Sequence, residues 1–526
     1  MKTTLLAPCP PDISAFGVRM LSAFLKEHGQ EVRVIYLPGG VAQFQRDATV
    51  RYGYEQRILD QVIELCRDSG LIGISFMSNY LDRAMNLGEN LRKALDIPVV
   101  VGGIHPTVKP EDCLEFADLV CVGEGEDALL ELIERLEKGE SYDDVQNFWM
   151  KKEDGRIIRN PSRPLREDLD SLPFFDFGME EHYIFDNFTN DVVPVTDEIM
   201  TRVLPMEPHL VGTFSDAYDR TRSYKTLSSR GCPHKCSFCT ENSLNEMYSP
   251  QRYFRRRTVN HIIDELVEVK EKMPYVESFY LFDDTFLARP TREIKEFAEA
   301  YQKRVAIPFH VQVSPSTVNE EKIEALVDAG MVFVEMGVQT ISEAGTASYN
   351  RKVSKEKITK AANIIYKFRD KLHTPCFHVI LDNPWESPQD VAETIRFLTT
   401  LPPFWLQRST LTYFPGIHLY DRAKAEGIIK TEEDEWREIY AKPFHAPEST
   451  YVNFLMYLMG FPGFPRPFMR FLASETMVRL LHKNWNKWLF SLMFRCGEGM
   501  ILVSKGFNSL LRGDLYRIRR YFVRVT

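Results

Sequence analysis

Three cysteines lie within eight residues of a 526-residue chain that contains nine cysteines in all. They are Cys232, Cys236 and Cys239 in the segment SSRGCPHKCSFCT, with the spacing C-x3-C-x2-C. Thiolates are the usual protein ligands of iron–sulfur clusters. Three of them leave one iron of a four-iron cubane open, and such an iron can chelate the amine and carboxylate of an amino acid. The spacing therefore favours a [4Fe–4S] cluster with an open substrate position.

A zinc site and a redox dithiol are the alternatives for these three cysteines. A structural zinc site needs four protein ligands, and His234 would have to be the fourth, in a cramped position two residues after Cys232. A redox dithiol needs one C-x2-C pair, not three thiols. The remaining cysteines occur singly, which argues against a disulfide framework and indicates a reducing compartment; they are Cys9, Cys66, Cys113, Cys121, Cys376 and Cys496.

The composition, 44% hydrophobic and 26% charged, is that of a globular protein with two or three folding units. Residues 466–526 contain twelve Lys/Arg and three Asp/Glu, a balance of +9, so with a net charge of −9 the rest of the chain carries −18. An acidic body argues against nucleic-acid binding. Pro8, Pro10 and Pro11 interrupt the first apolar run, which argues against a signal peptide, and no run reaches the ~18 apolar residues of a spanning helix. We expect a cytoplasmic protein.

Residues 1–140 alternate β-branched runs with amphipathic stretches in five strand–helix units. This order predicts a doubly wound, Rossmann-like parallel sheet, which binds ligands at the carboxyl ends of its strands. Four of those ends carry the segments PCPPDISAFG, SFMSN, GGIHPT and GEGED. Their glycines either allow close approach to a large flat ligand or form the ordinary turns of such a sheet. The absence of G-x-G-x-x-G disfavours a nicotinamide dinucleotide.

Three further segments follow. Residues 141–224 are rich in Pro and Asp, which predicts a linker or covering segment with little regular structure. Residues 225–425 contain six strand–helix repeats, which predict a partial (β/α)6 barrel of the TIM type with its chemistry at the carboxyl ends of the strands. The cysteine cluster directly follows the first of these strands. Residues 426–526 have a helical pattern.

The pattern C-x3-C-x-F-C resembles the signature of radical S-adenosylmethionine enzymes, and the partial barrel is similar to their fold. In that family the open iron binds S-adenosylmethionine, and one-electron reduction cleaves it to methionine and a 5′-deoxyadenosyl radical. The resemblance covers residues 225–425, although Asp283 and Asp284 stand where relatives show Gly-Gly-Glu. It implies that S-adenosylmethionine is bound by Phe238, Asp283, Asp284, Gln312, Glu335, Gly337, Gln339 and Arg351.

A doubly wound domain before such a barrel, with GGIHPT and GEGE at its strand ends, resembles the cobalamin-binding module of the cobalamin-dependent radical enzymes. The resemblance then spans residues 1–425. The motif D-x-H-x-x-G of other cobalamin proteins is missing, so no histidine ligand to cobalt is expected. The resemblance implies that cobalamin is bound by Pro10, Gly17, Ser75, Met77, Ser78, Gly102, Gly103, Ile104, His105, Pro106, Gly123, Glu124 and Gly125.

The same resemblance implies a class B-like methyltransferase that uses methylcobalamin and the 5′-deoxyadenosyl radical to methylate an unactivated carbon. An external reductant, such as a flavodoxin or ferredoxin, would supply the electrons. Two alternatives stay open: a cyclase or rearrangement enzyme with the same cofactors, and a cobalamin-binding sensor or scaffold with a structural cluster. No catalytic residue is assigned beyond the cofactor ligands.

The C-terminal region places Trp485, Trp488, Phe490 and Phe494 among lysines and arginines. Its helical pattern predicts a cap on the barrel, because apolar helix faces are usually core. The alternative is peripheral contact with a membrane, where basic residues meet anionic headgroups and aromatic rings lie at the interface. Contact with a membrane would favour a hydrophobic or lipid-like substrate.

Overall fold

Two structural units make up the chain, and neither is continuous in sequence. The computed structural model describes residues 1–9, 13–38, 53–186, 188–204, 221–441, 447–461 and 463–511. The first unit comprises residues 1–204, 246–253 and 413–442, and the second comprises 205–245, 254–412 and 443–526. Residues 141–204 and 413–442 thus belong with the N-terminal domain, which differs from the predicted borders at 140 and 425.

The first unit opens with the five predicted strand–helix repeats. They are β1 (Lys2–Cys9), α1 (Phe16–Glu27), β2 (Glu31–Pro38), α2 (Gln56–Cys66), β3 (Leu71–Ser75), α3 (Leu81–Ala94), β4 (Val99–Gly102), α4 (Ile104–Val108), α5 (Pro110–Cys113), β5 (Leu119–Cys121) and α6 (Glu126–Lys138). The strands pair in parallel in the order β5-β4-β3-β1-β2. The winding therefore reverses between β1 and β3, the position where doubly wound sheets bind their ligands.

Further strands extend this sheet at both edges and correct the prediction of an irregular linker. They are β6 (Phe148–Lys151), β7 (Ile157–Arg159), β8 (His182–Asp186) and β9 (Asp191–Pro194), followed by α7 (Asp197–Val203). β6 and β7 continue antiparallel from β5, while β8 runs parallel to β2 and pairs antiparallel with β9. Each of these strands has three to five residues, so the alternation is too short to stand out between prolines and aspartates. Residues 205–220 of the predicted linker lie outside the described residues.

The second unit contains the predicted partial barrel. Its elements are β10 (Ser223–Thr226), β11 (Ser229–Arg230), α8 (Thr240–Met247), β12 (Arg255–Arg256), α9 (Val259–Lys272), β13 (Ser278–Leu281), α10 (Thr291–Arg304), β14 (Phe309–Val313), α11 (Glu320–Asp328), β15 (Met331–Gln339), α12 (Glu343–Ser348), α13 (Lys355–Lys367), β16 (Cys376–Leu381), α14 (Pro388–Leu398) and β17 (Trp405–Thr410). Six strands pair in parallel in the order β10-β13-β14-β15-β16-β17, and β11 pairs antiparallel with β12. This confirms the fold class predicted for both domains.

Helices complete both units. α15 (His418–Ala425), α16 (Glu432–Glu435) and a π-helical turn (Trp436–Ala441) belong to the first, whereas α17 (Tyr451–Met459), α18 (Arg466–Leu472), α19 (Glu475–Leu481) and α20 (Lys487–Leu511) belong to the second. α17 packs against α14 and β17. This contact supports the predicted helical cap for that part of the tail. In the part of the chain that the structure describes, no helix combines the length and the apolarity needed to cross a bilayer.

Asp176 clamps helix α1, which begins shortly after the loop at the end of β1. Its carboxylate accepts hydrogen bonds from Ser22 Oγ at 2.5 Å and Lys26 Nζ at 2.8 Å, and it pairs with His182 Nε2 at 3.2 Å. Burial alone would raise the pKa of Asp176, but its hydrogen bonds and ion pairs with His182 and Lys26 outweigh burial and hold the pKa well below its usual range. Phe175, next to it, packs its ring 5.6 Å from Phe16. The clamp therefore fixes α1 from its first turn onwards.

We expect Asp176→Asn to lower the free energy of unfolding of the first unit by about 3 kcal/mol, because it breaks a buried ion pair. Because the folded-state pKa is depressed, the stabilisation is fully present above the unfolded pKa of about 4 and declines as the pH falls below it. Urea unfolding followed by hydrogen exchange in α1 should show a large difference near about pH 6 and a smaller one near about pH 3. The exposed Asp154→Asn is the control and should match wild type. Equal differences at both pH values would contradict the ion pair's role.

Candidate functional site

The three cysteines lie in the loop between β11 and α8, just beyond the end of the first barrel strand. Cys232 and Cys236 are buried, and Cys239 is partly accessible. The loop folds back on itself and onto the helix, since Cys239 N–H donates to the Cys236 carbonyl at 3.2 Å and Asn245 Nδ2 donates to the Cys232 carbonyl at 3.0 Å. The structure therefore fixes the cysteine backbone by local hydrogen bonds.

A second segment, formed by the last residue of α12 and the residues after it, also holds this loop. The backbone N–H of Ser237 donates to the Tyr349 carbonyl at 3.0 Å, and its hydroxyl donates to the Ser348 carbonyl at 2.5 Å. The Phe238 ring meets the Tyr349 ring edge-on, with 5.0 Å between centroids. Phe238, predicted to contact S-adenosylmethionine, thus also packs within the protein. Ser348 and Tyr349 belong to no motif, so their role could not be predicted from the sequence.

Arg351 connects the cysteine loop to strand β15. Its Nη1 lies 3.7 Å from Cys236 Sγ, and its Nη2 donates to the Gly337 carbonyl at 2.5 Å. A Cβ at Gly337 would lie 2.9 Å from Gln339 Nε2 and 3.4 Å from Arg351 Nη2, so the ends of both side chains lie close over this glycine. The structure thus brings together three of the residues predicted to bind S-adenosylmethionine, Gly337, Gln339 and Arg351, beside a cluster cysteine.

The two aspartates after β13 have different surroundings. Asp283 is buried, and its two oxygens accept hydrogen bonds from the Ser228 N–H at 3.0 Å, from the Ser228 hydroxyl at 2.9 Å and from the Ser229 hydroxyl at 2.5 Å. These bonds hold the chain between β10 and β11, which leads into the cysteine loop. Asp284 has an accessible side chain, and partial desolvation of its carboxyl group, followed by the charge of Asp283, raises its pKa. A cation such as an ammonium group would stabilise the Asp284 carboxylate.

Polar side chains occupy the interior face of the barrel strands. Gln312 on β14 donates through Nε2 to the Tyr280 hydroxyl at 2.7 Å, and Gln312 is the register partner of Glu335 on β15. Glu335 is buried and pairs with His378 Nε2, on β16, at 3.0 Å. The predicted residues Gln312 and Glu335 therefore lie side by side. His378 was not predicted, because a lone histidine in a strand-like run carries no motif.

The cysteine set fits an iron–sulfur cluster. Burial, followed by the nearby Asp284 carboxylate, raises the pKa of the Cys232 thiol to about 12, and burial raises that of Cys239 well above its usual value. Such thiols lose their protons when a metal binds them. In a cubane each thiolate binds a different iron, whereas a single ion needs donors that converge on one point. No group of three His, Cys, Asp or Glu that could hold one ion occurs among the described residues.

The predicted cobalamin residues gather at the carboxyl ends of the first sheet. Cβ atoms placed at Gly17 and Gly103 would lie 3.4 Å and 3.2 Å from Ser75 Oγ, so these three residues meet at one point. Gly103 has a φ of 104°, and a Cβ there would approach the Phe76 carbonyl oxygen to 2.6 Å. Only glycine satisfies this turn without strain. Pro10 lies outside the described residues.

The glycines at the carboxyl ends of the strands form a surface that we call the glycine ledge, and the end of β5 is its second part. Gly123 has a φ of 95°, its N–H donates to Thr107 Oγ1 at 3.0 Å, and a Cβ there would overlap the Tyr248 hydroxyl. That hydroxyl accepts a hydrogen bond from the Glu124 N–H at 3.3 Å. Gly102 and Gly125, predicted with them, both lie over Cys121. Tyr248 was missed, because its place beside β5 depends on a contact across 125 residues of sequence.

His105 lies beside this ledge and not on it. Its ring is fully buried against Phe76, with 5.6 Å between centroids, and its Nδ1 is 3.1 Å from Ser78 Oγ. Burial, followed by the charge of Lys109, lowers the pKa of His105 to about 4, and Nε2 has no hydrogen-bond partner among the residues that the structure describes. Pro106 is buried as well, whereas Met77 is exposed and Ile104 is half-buried. The accessible glycines and Met77 make a ledge that fits a large cofactor.

Two family profiles match the regions that carry these sites. The radical SAM superfamily matches residues 226–398, and the B12 binding domain matches residues 2–133. The chain is a radical SAM enzyme that also carries a B12 binding domain. These two domains imply a [4Fe–4S] cluster, S-adenosylmethionine and cobalamin as cofactors, for which the cysteine loop and the glycine ledge provide fitting residues.

Relatives of this radical enzyme include both methyltransferases and a cyclase. An uncharacterised methyltransferase of Pyrococcus horikoshii is 26% identical over 361 residues, which cover 68% of this chain and 67% of that protein. Cytidylyl-2-hydroxyethylphosphonate methyltransferase of Streptomyces wedmorensis is 24% identical over 371 residues, or 66% of this chain and 64% of that protein. Anaerobic magnesium-protoporphyrin IX monomethyl ester cyclase of Rubrivivax gelatinosus is 25% identical over 338 residues, or 62% and 53%. The matches span about half to two thirds of these relatives.

Solved structures share the fold of the enzyme. The radical S-adenosylmethionine methyltransferase TsrM from Kitasatospora setae, solved with cobalamin and a [4Fe–4S] cluster, superposes with a TM-score of 0.61 at 17% identity, covering 81% of this chain and 78% of that one. The cobalamin-dependent radical enzyme OxsB, solved with aqua-cobalamin, gives 0.62 at 16% identity, covering 98% and 80%. The two-domain architecture is therefore common to these proteins.

Gly123→Ala should destabilise the first unit more than Gly139→Ala. Both glycines have positive φ, so each alanine costs about 1 kcal/mol of backbone strain, but a Cβ at Gly139 meets nothing within 4 Å. Because the Cβ at position 123 overlaps the Tyr248 hydroxyl, the double variant Gly123→Ala/Tyr248→Phe should recover much of the excess loss. Thermal unfolding and the cobalamin retained after gel filtration measure the effect. Equal losses for the two single variants would refute the close packing at this strand end.

Asp284→Asn should weaken S-adenosylmethionine binding by at least about tenfold, because a charge-assisted hydrogen bond to the amino group is lost. Iron content and thermal stability should stay at the wild-type level. The neighbouring Asp283→Asn serves as the matched variant and should lower iron content and stability, since its two oxygens hold the chain that leads into the cysteine loop. Equilibrium dialysis with S-adenosylmethionine and iron analysis separate the two. The reverse pattern would exchange the roles of the two aspartates.

Proposed function

We propose that this enzyme places a methyl group on an unactivated carbon atom. The proposal rests on one observation: a single chain joins a three-cysteine radical barrel to a glycine-lined cobalamin domain. Relatives named as methyltransferases align with about two thirds of this chain, which supports the proposal. When bound, the cluster and S-adenosylmethionine supply the 5′-deoxyadenosyl radical, and cobalamin carries the methyl group. The protein's part is to hold these groups in register and to exclude water.

The residues of the barrel have binding roles in this proposal. Cys232, Cys236 and Cys239 bind three irons of the cluster. Asp284, the accessible carboxylate next to the buried Asp283, binds the ammonium group of S-adenosylmethionine. Gln312, Glu335, Gly337 and Gln339 hold the nucleoside part, while Arg351 positions Cys236 and the Gly337 backbone through the contacts it makes with both.

His378 Nε2 and Glu335 Oε2 lie 3.0 Å apart on neighbouring barrel strands. Abstraction of a hydrogen atom by a radical requires no base, so this pair binds and orients polar groups of the bound molecules. Glu335 fixes the direction in which the half-buried His378 ring points. The proposal therefore treats His378 as a positioning group and not as a general base.

The reaction requires electrons from outside the chain. One turnover replaces one C–H by C–CH3, consumes two S-adenosylmethionine and two electrons, and yields one S-adenosylhomocysteine, one methionine and one 5′-deoxyadenosine. The cysteines outside the loop occur singly in the sequence, so they supply no motif for a second cluster. We infer an external low-potential donor such as a flavodoxin or ferredoxin.

For the substrate we propose a hydrophobic or lipid-like molecule, and for the location the cytoplasm, with peripheral contact between the C-terminal helices and a membrane. The exposed apolar and basic side chains of these helices support both. A cyclase with the same cofactors is the second candidate, because one of the relatives carries that name.

S-adenosylhomocysteine separates methyl transfer from cyclisation. The enzyme, purified anaerobically and reconstituted with iron, sulfide and cobalamin, is mixed with S-adenosylmethionine and a chemical reductant. Methyl transfer predicts one S-adenosylhomocysteine per bound cobalamin in the first turnover, in addition to 5′-deoxyadenosine. Formation of 5′-deoxyadenosine without S-adenosylhomocysteine would reject methyl transfer and favour a cyclase or rearrangement enzyme.

Substitution of any cluster cysteine tests the radical half of the proposal. Cys232→Ala, Cys236→Ala and Cys239→Ala should each reduce 5′-deoxyadenosine to background, because an open-iron cluster needs all three thiolates. Cys496→Ser, at an exposed cysteine of α20, is the control and should retain full cleavage. Cleavage that survives in the cluster variants would overturn the assignment of these cysteines as cluster ligands.

A further inference from the structure

Exposed large apolar side chains are concentrated in the C-terminal helices. In the other parts of the chain that the structure describes, the exposed large apolar residues are Met77, Met179, Phe188, Met247 and Tyr366. On and around α18, α19 and α20 they are Phe468, Phe471, Leu480, Trp485, Trp488, Leu489, Leu492, Met493, Met500, Val503, Phe507, Leu510 and Leu511. We call these thirteen residues the C-terminal apolar surface. A patch of this extent marks an interaction site.

Helix α20 explains how such a surface arises, because it has two apolar stripes. The inner stripe faces α17: the Phe490 ring lies 5.5 Å from Tyr451 and 5.6 Å from Phe454, and the Phe494 ring lies 5.1 Å from Tyr457. The outer stripe recurs every three or four residues on another side of the helix and consists of exposed side chains, Leu489, Leu492, Met493, Cys496, Met500, Val503, Phe507 and Leu510. The first stripe is covered within the chain, and the second faces solvent over the length of the helix.

The charges beside this surface are mainly positive, with Glu475 and Glu498 as the acidic residues of α18, α19 and α20. Arg479, Lys483 and Arg495 are exposed, and the whole segment 466–526 has a balance of +9 against −18 for the rest of the chain. Trp485 and Trp488, with 74% and 65% of their surfaces accessible, lie between these cations. Exposed tryptophans flanked by basic residues, on an amphipathic helix too charged to cross a bilayer, are typical of segments that lie in a membrane interface.

We propose that the C-terminal apolar surface docks on an anionic lipid bilayer, with α20 lying in the plane of the interface. A second copy of the chain is a poorer partner, because self-pairing would bring Arg479, Lys483 and Arg495 towards their own counterparts, whereas anionic headgroups neutralise them. The outer stripe enters the acyl boundary, and the basic residues remain at the headgroups. This inference specifies the membrane contact proposed above and is independent of the methyl-transfer reaction.

Co-sedimentation of the full-length, reconstituted protein with vesicles tests the proposal. The protein should bind vesicles that contain about 30% phosphatidylglycerol in phosphatidylcholine and should stay in the supernatant with phosphatidylcholine alone. Arg479→Gln/Lys483→Gln should weaken the binding about 30-fold. Leu492→Gln/Val503→Gln should weaken it at least about tenfold by removing buried apolar area. Both pairs are exposed, so the fold should be retained.

Matched variants on other surfaces act as controls. Lys357→Gln/Lys360→Gln on α13 removes the same charge from exposed positions, and Met179→Gln/Phe188→Gln removes two exposed apolar side chains; both should bind like wild type. Cys232→Ala should also bind, so failure of the radical chemistry is distinguishable from failure of docking. If wild-type protein does not bind anionic vesicles, the proposal is wrong. It is also wrong if Arg479→Gln/Lys483→Gln and Leu492→Gln/Val503→Gln bind the vesicles as strongly as wild type. A dimer that Leu492→Gln/Val503→Gln dissociates, without vesicle binding, would show that a second copy covers the surface.

Discussion

The position of the cysteine loop depends on the hydrogen bonds between Ser237 and the segment at the end of α12. The Ser237 N–H and hydroxyl donate to the carbonyls of Tyr349 and Ser348, and Arg351 reaches from the same segment to Cys236. Burial raises the pKa of the Cys232 and Cys239 thiols, so these two lose their protons only when a metal binds, and the loop must hold them in position for that step. Glu335, Gly337 and Gln339 lie on β15, and Arg351 donates to the Gly337 carbonyl of that strand. The cluster ligands and the predicted nucleoside site are thus fixed by one set of contacts.

In the first unit, glycines allow the backbone to come close to a large molecule. Gly103 and Gly123 adopt positive φ, and at both positions a side chain would collide with the Phe76 carbonyl or the Tyr248 hydroxyl. Neutral His105, buried beneath the ledge with Ser78, supports it without facing it. Asp176 then holds α1 against the same domain. Glycine turns, a buried histidine and an ion pair therefore share the task of shaping the ledge.

Features that depend on local interactions could be predicted from the sequence, whereas features that depend on contacts between distant segments could not. The strand–helix periodicity is local, so it predicted the parallel strands of both domains, and the cysteine spacing is local, so it predicted a cluster loop. The edge strands β6 to β9 were missed, because each is short and its pairing comes from the neighbouring strand. Asp283 and Asp284 are adjacent in sequence, yet the bonds to Ser228 and Ser229 that distinguish them are known only from the fold. Tyr248 and His378 likewise acquire their roles through contacts between distant segments.

We conclude that one chain holds a radical-generating cluster and a cobalamin together. The content of iron, sulfide and cobalt per chain in anaerobically reconstituted protein, with the absorption spectrum of bound cobalamin, tests this conclusion. We expect four irons, four sulfides and one tightly held cobalamin per chain. Four irons without cobalamin, even when cobalamin is supplied, would contradict this conclusion, because the glycine ledge would then serve some other ligand and methyl transfer would have no carrier.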